Sequence, residues 1–203
     1  MKIAVVGASG NAGSRIVAEL ARRGHSVTAI ARHPEKIAIL PNVTARQGDV
    51  LDQGALAQLL AGHDVAISSV HFLDSDPVKL IAAAREAKVG RYLVVGGAGS
   101  LEVAPGVRLV TTPGFPPAYK AEAEKGGAFL DLLAQEKALN WTFLSPSALF
   151  TAGERTGKFR LGTDQLLTAA DGKSWISFED FAVALADEIE RPAHIRRRFT
   201  VGY

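Results

Sequence analysis

Apolar positions along the chain switch between two spacings. Ile3–Val6 is a short, nearly continuous apolar run, as in a strand buried on both faces. Asn11–Arg23 puts Ile16, Val17, Leu20 and Ala21 on one face at helical spacing. Gly24 then sits where a helix end takes a left-handed residue. Ser26–Ala31 predicts a second strand, Pro34–Leu40 a short helix opened by proline, and Val43–Gln47 a third strand. Asp52–Ala61 reads as a helix capped by Asp52, followed by strand Val65–Val70. Pro77–Lys88 is a helix with Asp76 as its N-cap, and Arg91–Val95 a fifth strand that stops at Gly96-Gly97. Pro117–Glu136 is a long helix whose middle Gly126-Gly127 weakens. Trp141–Leu144 is the sixth strand. Ser177 and Asp180 open a helix through Glu190 in a capping-box-like pattern, and Phe199–Val201 is a closing strand.

Strands separated by helices imply βαβ units. Right-handed crossovers then give an α/β fold with a doubly wound parallel sheet. The 203 residues fit one domain, 1–203, with enough chain to bury a proper core. Residues 101–117 hold four of the nine prolines and form the longest irregular stretch. Ordered loops of that length are usually functional.

Composition narrows the chemistry. There is no cysteine, which excludes disulfides, thiolate catalysis and cysteine zinc sites. His63 and His71 lack metal-ligand spacing, so no metal is expected. Net charge is +2, and the one compact basic run, Arg196–Arg198, reads as a solvated edge. No nucleic-acid module is present. The N-terminal apolar run is too short for a signal peptide, and no stretch approaches the roughly 20 apolar residues of a membrane span. A cytoplasmic protein, monomer or homodimer, with a small-molecule partner is expected.

Gly7-Ala8-Ser9-Gly10-Asn11-Ala12-Gly13 follows the first strand and opens the first helix. That context gives the three glycines meaning. Gly7 permits a tight turn, Gly10 lets the backbone approach a pyrophosphate, and Gly13 lets helix and strand pack closely. Free N–H groups at the helix start bind the phosphates, and Ser9 and Asn11 add donors. In an NAD site an acid about 20 residues on holds the ribose 2′-OH. Here Arg32 follows the second strand, with His33 next and no carboxylate until Glu35. A guanidinium there pairs with a 2′-phosphate, and Arg15 and Lys36 add charge. NADP(H) is therefore favoured over NAD(H). Asp49-Val50 falls beside the adenine.

These strings resemble an atypical short-chain dehydrogenase/reductase. The resemblance is closest to the NAD(P)H-binding group labelled NADH-flavin reductases, with biliverdin/flavin reductase and NmrA-like proteins more distant. It is carried by GASGNAG (7–13), AR (31–32), GDV (48–50), GGAGS (96–100) and SPSALF (145–150). TGKFRLG (156–162), ISFEDFA (176–182) and RFTVGY (198–203) extend it to nearly the whole chain. The resemblance implies a Rossmann fold with a small C-terminal substrate cap from residues 147–203. It also implies a cofactor channel lined by Ser68, Ser69, Val70, Gly97, Ala98 and Pro146.

Classical members of that superfamily use a Tyr-x-x-x-Lys pair, with the lysine one helical turn beyond the tyrosine. Here Tyr119 is followed directly by Lys120, and Pro116 stands four residues before that lysine. Alcohol dehydrogenation by the standard route is not expected. Flavins and quinones accept hydride with delocalised charge and need mainly proximity and orientation. The expected activity is NADPH-dependent reduction of a flavin, quinone or similar conjugated acceptor. Ser100 is the candidate donor to the acceptor, with Lys120 as electrostatic support and Tyr119 as an aromatic anchor or acid. Phe72, Phe115, Phe150 and Trp175 are candidates for an apolar slot. Two alternatives stay open: a non-catalytic NADP(H)-binding sensor, and an enzyme of the epimerase or dehydratase kind.

Overall fold

The computed structural model describes residues 1–203. Its first half follows the apolar pattern closely: β1 Lys2–Val6, α1 Asn11–Arg22, β2 Ser26–Ala31, β3 Val43–Gln47, α2 Gln53–Leu60, β4 Val65–Ser68, α3 Pro77–Glu86 and β5 Arg91–Val95. A hairpin follows, β6 Glu102–Ala104 with β7 Val107–Arg108. The remainder is α4 Pro117–Gln135, β8 Trp141–Pro146, β9 Leu149–Thr151, β10 Arg160–Gly162, β11 Trp175–Ser177, α5 Phe178–Glu190 and β12 Arg197–Gly202.

The main sheet has the order β10-β12-β8-β5-β4-β1-β2-β3. Every pairing in it is parallel except the edge pair β10–β12. Outward from β1 the order runs one way to β3 and the other way to β4, so strand order reverses at β1. This is the doubly wound, Rossmann-type arrangement, and ligands bind beyond the strand C-termini at such a reversal.

Alternate residues of β1 feed two cores. Ile3 and Val5 pack with Ile16, Leu20, Phe181, Leu185 and Phe199 on the face covered by α1 and α5. Ala4 and Val6 pack with Leu56, Leu80, Phe129 and Phe143 on the face covered by α2, α3 and α4. Burial on both faces is why this strand shows no polar alternation.

Caps set several helix starts. Asp52 accepts from the Ala55 N–H at 3.0 Å, and Asp76 from Val78 N–H at 2.9 Å. Ser177 Oγ accepts from Asp180 N–H at 3.0 Å. The Asp180 carboxylate does not return to Ser177, as a full capping box would. It accepts from Thr156 Oγ1, Gly157 N–H and the Tyr203 hydroxyl, tying the 156–158 turn and the last residue to α5.

Four expectations are corrected. Pro34–Leu40 makes only a single 3-10 turn, Pro34–Lys36, with no buried residue to hold it longer. Residues 101–117 are not wholly irregular: Pro105-Gly106 turns the β6–β7 hairpin with Gly106 at φ +73°. Gly126 does not merely weaken α4. A Cβ there would lie 2.7 Å from the Phe72 ring, so the glycine lets that ring sink against the helix. The helix propensity lost, roughly 1 kcal/mol, is offset by burying a Phe, roughly 1.5–3 kcal/mol. Arg198 is not a solvated edge residue either. Its side chain is 8% exposed and pairs with Asp164 at 2.7 Å.

Candidate functional site

The turn after β1 is built by glycines that serve two different ends. Gly7 has φ +79°, and a Cβ on it would lie 2.0 Å from the Ser69 carbonyl oxygen. A Cβ on Gly13 would lie 2.1 Å from the Gly7 carbonyl oxygen. Both are required by the fold itself. Gly10 is different. Its backbone is extended, and a Cβ would meet only the Gly7 carbonyl oxygen at 3.3 Å, a far milder contact than those at Gly7 and Gly13. The space left by the missing side chain lies over the start of α1. That helix has no side-chain cap and no acidic residue in its first turn. Its positive end is uncompensated and suits an anion.

This turn opens on a cleft of about 810 Å³ that runs along the strand C-termini. A volume of roughly 300–1,000 Å³ is typical of small-molecule and cofactor sites. Ser9, Gly10, Asn11 and Ala12 line its middle. Arg32, His33, Lys36, Asp49 and Val50 line one end. Arg32 and Lys36 are exposed and have no carboxylate within ion-pair range, while Glu35 turns to His33 Nδ1 at 3.2 Å. Two free cations thus flank a helix N-terminus that is itself positive. One Asp49 oxygen accepts from Leu51 N–H at 2.9 Å, which fixes its turn and leaves the second oxygen to the cleft.

Ser69, Val70, Gly97, Ala98 and Pro146 line the other end with Phe150 and Phe178. The two rings pack edge to face at 4.5 Å and make an apolar wall. Tyr119, His71 and Glu122 also line this end. Phe178 and Glu122 were not singled out in the sequence. Tyr119 and Glu122 are three residues apart on α4 and so share a face.

Other candidates are not brought to the cleft. Ser68 and Ser100 do not line it; both are buried, and the Ser100 hydroxyl takes a hydrogen bond from Arg198 Nη1 at 3.3 Å. Ser100 is therefore not placed at the cleft as the expected donor to an acceptor. Lys120 is exposed and outside the cleft, because one step along a helix turns the side chain by about 100° from Tyr119. Arg15 does not line the cleft: it pairs with Glu179 at 3.0 Å, lies over the Phe178 ring and donates to the Asn11 carbonyl at 3.4 Å, so its charge is partly neutralised. Trp175 packs on Tyr203, and neither it nor Phe115 lines the cleft. Phe72 touches it but is mainly core, between Phe129 and Phe143. One turn beyond Tyr119 stands Ala123, against which Gly99 packs so closely that an added Cβ would lie 2.6 Å from the alanine Cβ. A Tyr–Lys couple has no place here.

The sequence pattern of a family described as NAD(P)H-binding matches residues 7–192, nearly the whole chain. The chain belongs to the NAD(P)H-binding family. Three solved structures are similar to it over full length. A protein of Burkholderia pseudomallei called a "putative exported protein" is 46% identical, with TM-score 0.90 and 100% of each chain covered. A "putative epimerase" of Bacteroides thetaiotaomicron is 40% identical, with TM-score 0.95, covering 100% of this chain and 96% of that one. A "putative NADH-flavin reductase" of Streptococcus pneumoniae is 37% identical, with TM-score 0.85, covering 100% and 99%. Family membership accounts for the glycine turn and the cleft. Two of the three names point to different reactions, and the first names none. No helix of the structure is long and apolar enough to cross a membrane.

Proposed function

We propose that this NAD(P)H-binding protein is an NADPH-dependent reductase of a flavin, a quinone or a similar conjugated acceptor. The observation that carries the reading is the asymmetry of one cleft. Its middle and one end offer an uncapped helix N-terminus and two unpaired cations. Its other end offers an apolar wall of Phe150 and Phe178 without a Tyr–Lys couple.

The residues fit a dinucleotide phosphate. The open space at Gly10 admits the pyrophosphate to the α1 N–H groups, with Ser9 and Asn11 as further donors. Arg32 and Lys36 hold the 2′-phosphate, and Asp49 accepts from the adenine amino group. Ser69, Val70, Gly97, Ala98 and Pro146 flank the nicotinamide. When bound, the cofactor supplies a hydride. The apolar wall excludes water and holds a flat acceptor against the reacting face. An acceptor whose charge spreads over a ring asks for orientation more than for a strong acid. The reading requires a compartment that holds NADPH, in keeping with a cytoplasmic location.

The test is NADPH consumption, followed by its absorbance, with FMN, riboflavin and 1,4-naphthoquinone as acceptors. Turnover with a flavin or the quinone supports the reading. Saturable NADPH binding with no turnover would make the protein a cofactor-binding sensor instead. A separate expectation concerns the cofactor choice. Arg32→Ala should weaken NADPH binding by about 10- to 100-fold, the worth of roughly 1.5–3 kcal/mol for hydrogen bonds to a charged group, and leave NADH little changed. Equal losses for both cofactors, read by titration, would remove Arg32 from the 2′-phosphate site.

A further inference from the structure

The end of the cleft without a Tyr–Lys couple carries another titratable pair. His71, just after β4, lines the cleft with its side chain 82% exposed. Its Nδ1 lies 3.4 Å from Glu122 Oε1, within ion-pair range. No other side chain bonds the ring, so Nε2 is left without a partner in a residue that lines the cleft. Glu122 is itself held. Its two carboxylate oxygens accept from the backbone N–H groups of Phe72 at 2.7 Å and Leu73 at 2.9 Å. These bonds cross 50 and 49 residues of sequence and clamp the loop after β4 to α4. Phe72, buried between α4 and the core, fixes the same loop from inside. The carboxylate is thus a fixed orienter and the imidazole an exposed group beside it. Such contacts are often long without substrate and tighten once it binds.

We propose that His71, oriented by Glu122, is the proton donor of this site, and that it extends the acceptors to conjugated carbonyl compounds. The inference rests on the reductase reading above. A reduced carbonyl carries its charge on one oxygen and needs a proton there, which a flavin or quinone needs far less. The acceptor carbon takes the hydride, with its electron pair, from bound NADPH. The N–H bond at His71 Nε2 breaks and an O–H bond forms at the acceptor oxygen. Oxidised cofactor and alcohol leave, and the exposed imidazole regains its proton from water. Imidazole suits this step because it gives and takes protons near neutrality. Glu122 touches no substrate; it is a positioning residue. Tyr119 on α4 and Asp74 on the loop after β4 are the other titratable groups lining this end of the cleft.

The experiment compares cinnamaldehyde with 1,4-naphthoquinone as acceptors for the wild type, His71→Gln, His71→Gly and Glu122→Gln, alongside NADPH titrations. The wild type should reduce both. His71→Gln should lose about 10²-fold in kcat on the aldehyde, a far larger loss than on the quinone, and still bind NADPH saturably. Added imidazole should restore aldehyde reduction to His71→Gly, which a structural role for the residue would not allow. Glu122→Gln should show the same selective loss on the aldehyde. If the wild type reduces the quinone but not the aldehyde, or if His71→Gln reduces both like the wild type, the proposal is wrong and the reductase reading stands. A wild type that oxidises no NADPH with either acceptor overturns both.

Discussion

Replacing Gly10 with valine is expected to abolish detectable binding of NADPH and NADH while the protein stays folded. The first half follows from what the position leaves open. The bare backbone gives the pyrophosphate access to the N–H groups at the start of α1, a helix with neither a cap nor an acid to satisfy them. A branched side chain fills that space. Losing two hydrogen bonds to a charged group costs about 3–6 kcal/mol, or roughly 10²–10⁴ in affinity. The second half follows from the mild 3.3 Å contact and from the extended backbone, a conformation open to any residue. Gly7 and Gly13 contrast sharply, since a Cβ on either would meet backbone atoms near 2 Å and disturb the fold itself. Equilibrium titration, with circular dichroism and a melting curve on the same sample, separates the two effects. A valine variant that binds like the wild type would mean that phosphates do not sit at this turn.

The second large effect is on stability. Glu188→Ala should cost about 3–5 kcal/mol, because removing one partner leaves a buried charge uncompensated. Arg91 on β5 is buried. Its guanidinium donates to Glu188 Oε1 at 2.9 Å, to the Glu188 carbonyl at 2.8 Å and to Thr142 Oγ1 at 2.7 Å. Glu188 also accepts from the His194 ring nitrogen at 2.8 Å and from the backbone N–H groups of Ala193 and His194. One carboxylate therefore joins β5, α5 and the loop before β12. Burial alone would raise its pKa, but the His194 ring and backbone and the Arg91 guanidinium outweigh that and hold it below the usual carboxylate range. A depressed folded pKa stabilises the fold fully above the unfolded carboxylate value, and that contribution is lost as pH falls through the folded one. The melting temperature should fall by about 6–20 °C near neutral pH for a chain of this size, and the gap to wild type should narrow in acid. An unchanged melting temperature would show that the network contributes nothing.

Much of this was legible in the chain. The continuous apolar runs and the period-3.6 face located β1, α1 and β2 to within a residue, because strands buried on both faces and an amphipathic helix leave strong signals. The glycine turn was legible because Gly7 and Gly13 answer to sterics that only glycine satisfies. The short pieces were not. β9 and β11 pair with each other across 26 residues and have three residues each, too few to show a period. Lys120, expected to give electrostatic support, falls outside the cleft because helical geometry turns it away from Tyr119. Ser100 follows a glycine-rich strand end that points toward the cleft, yet the 3-10 turn Ala98–Ser100 rotates its side chain inward. Glu122 gave no signal at all, since its role consists of bonds to a loop some 50 residues away.

Purified wild-type protein is titrated with NADPH and with NADH by calorimetry, with Gly10→Val alongside. One saturable site per chain, tighter for NADPH and absent in the variant, is the predicted result. No saturable binding by the wild type, or equal binding by Gly10→Val, would contradict it.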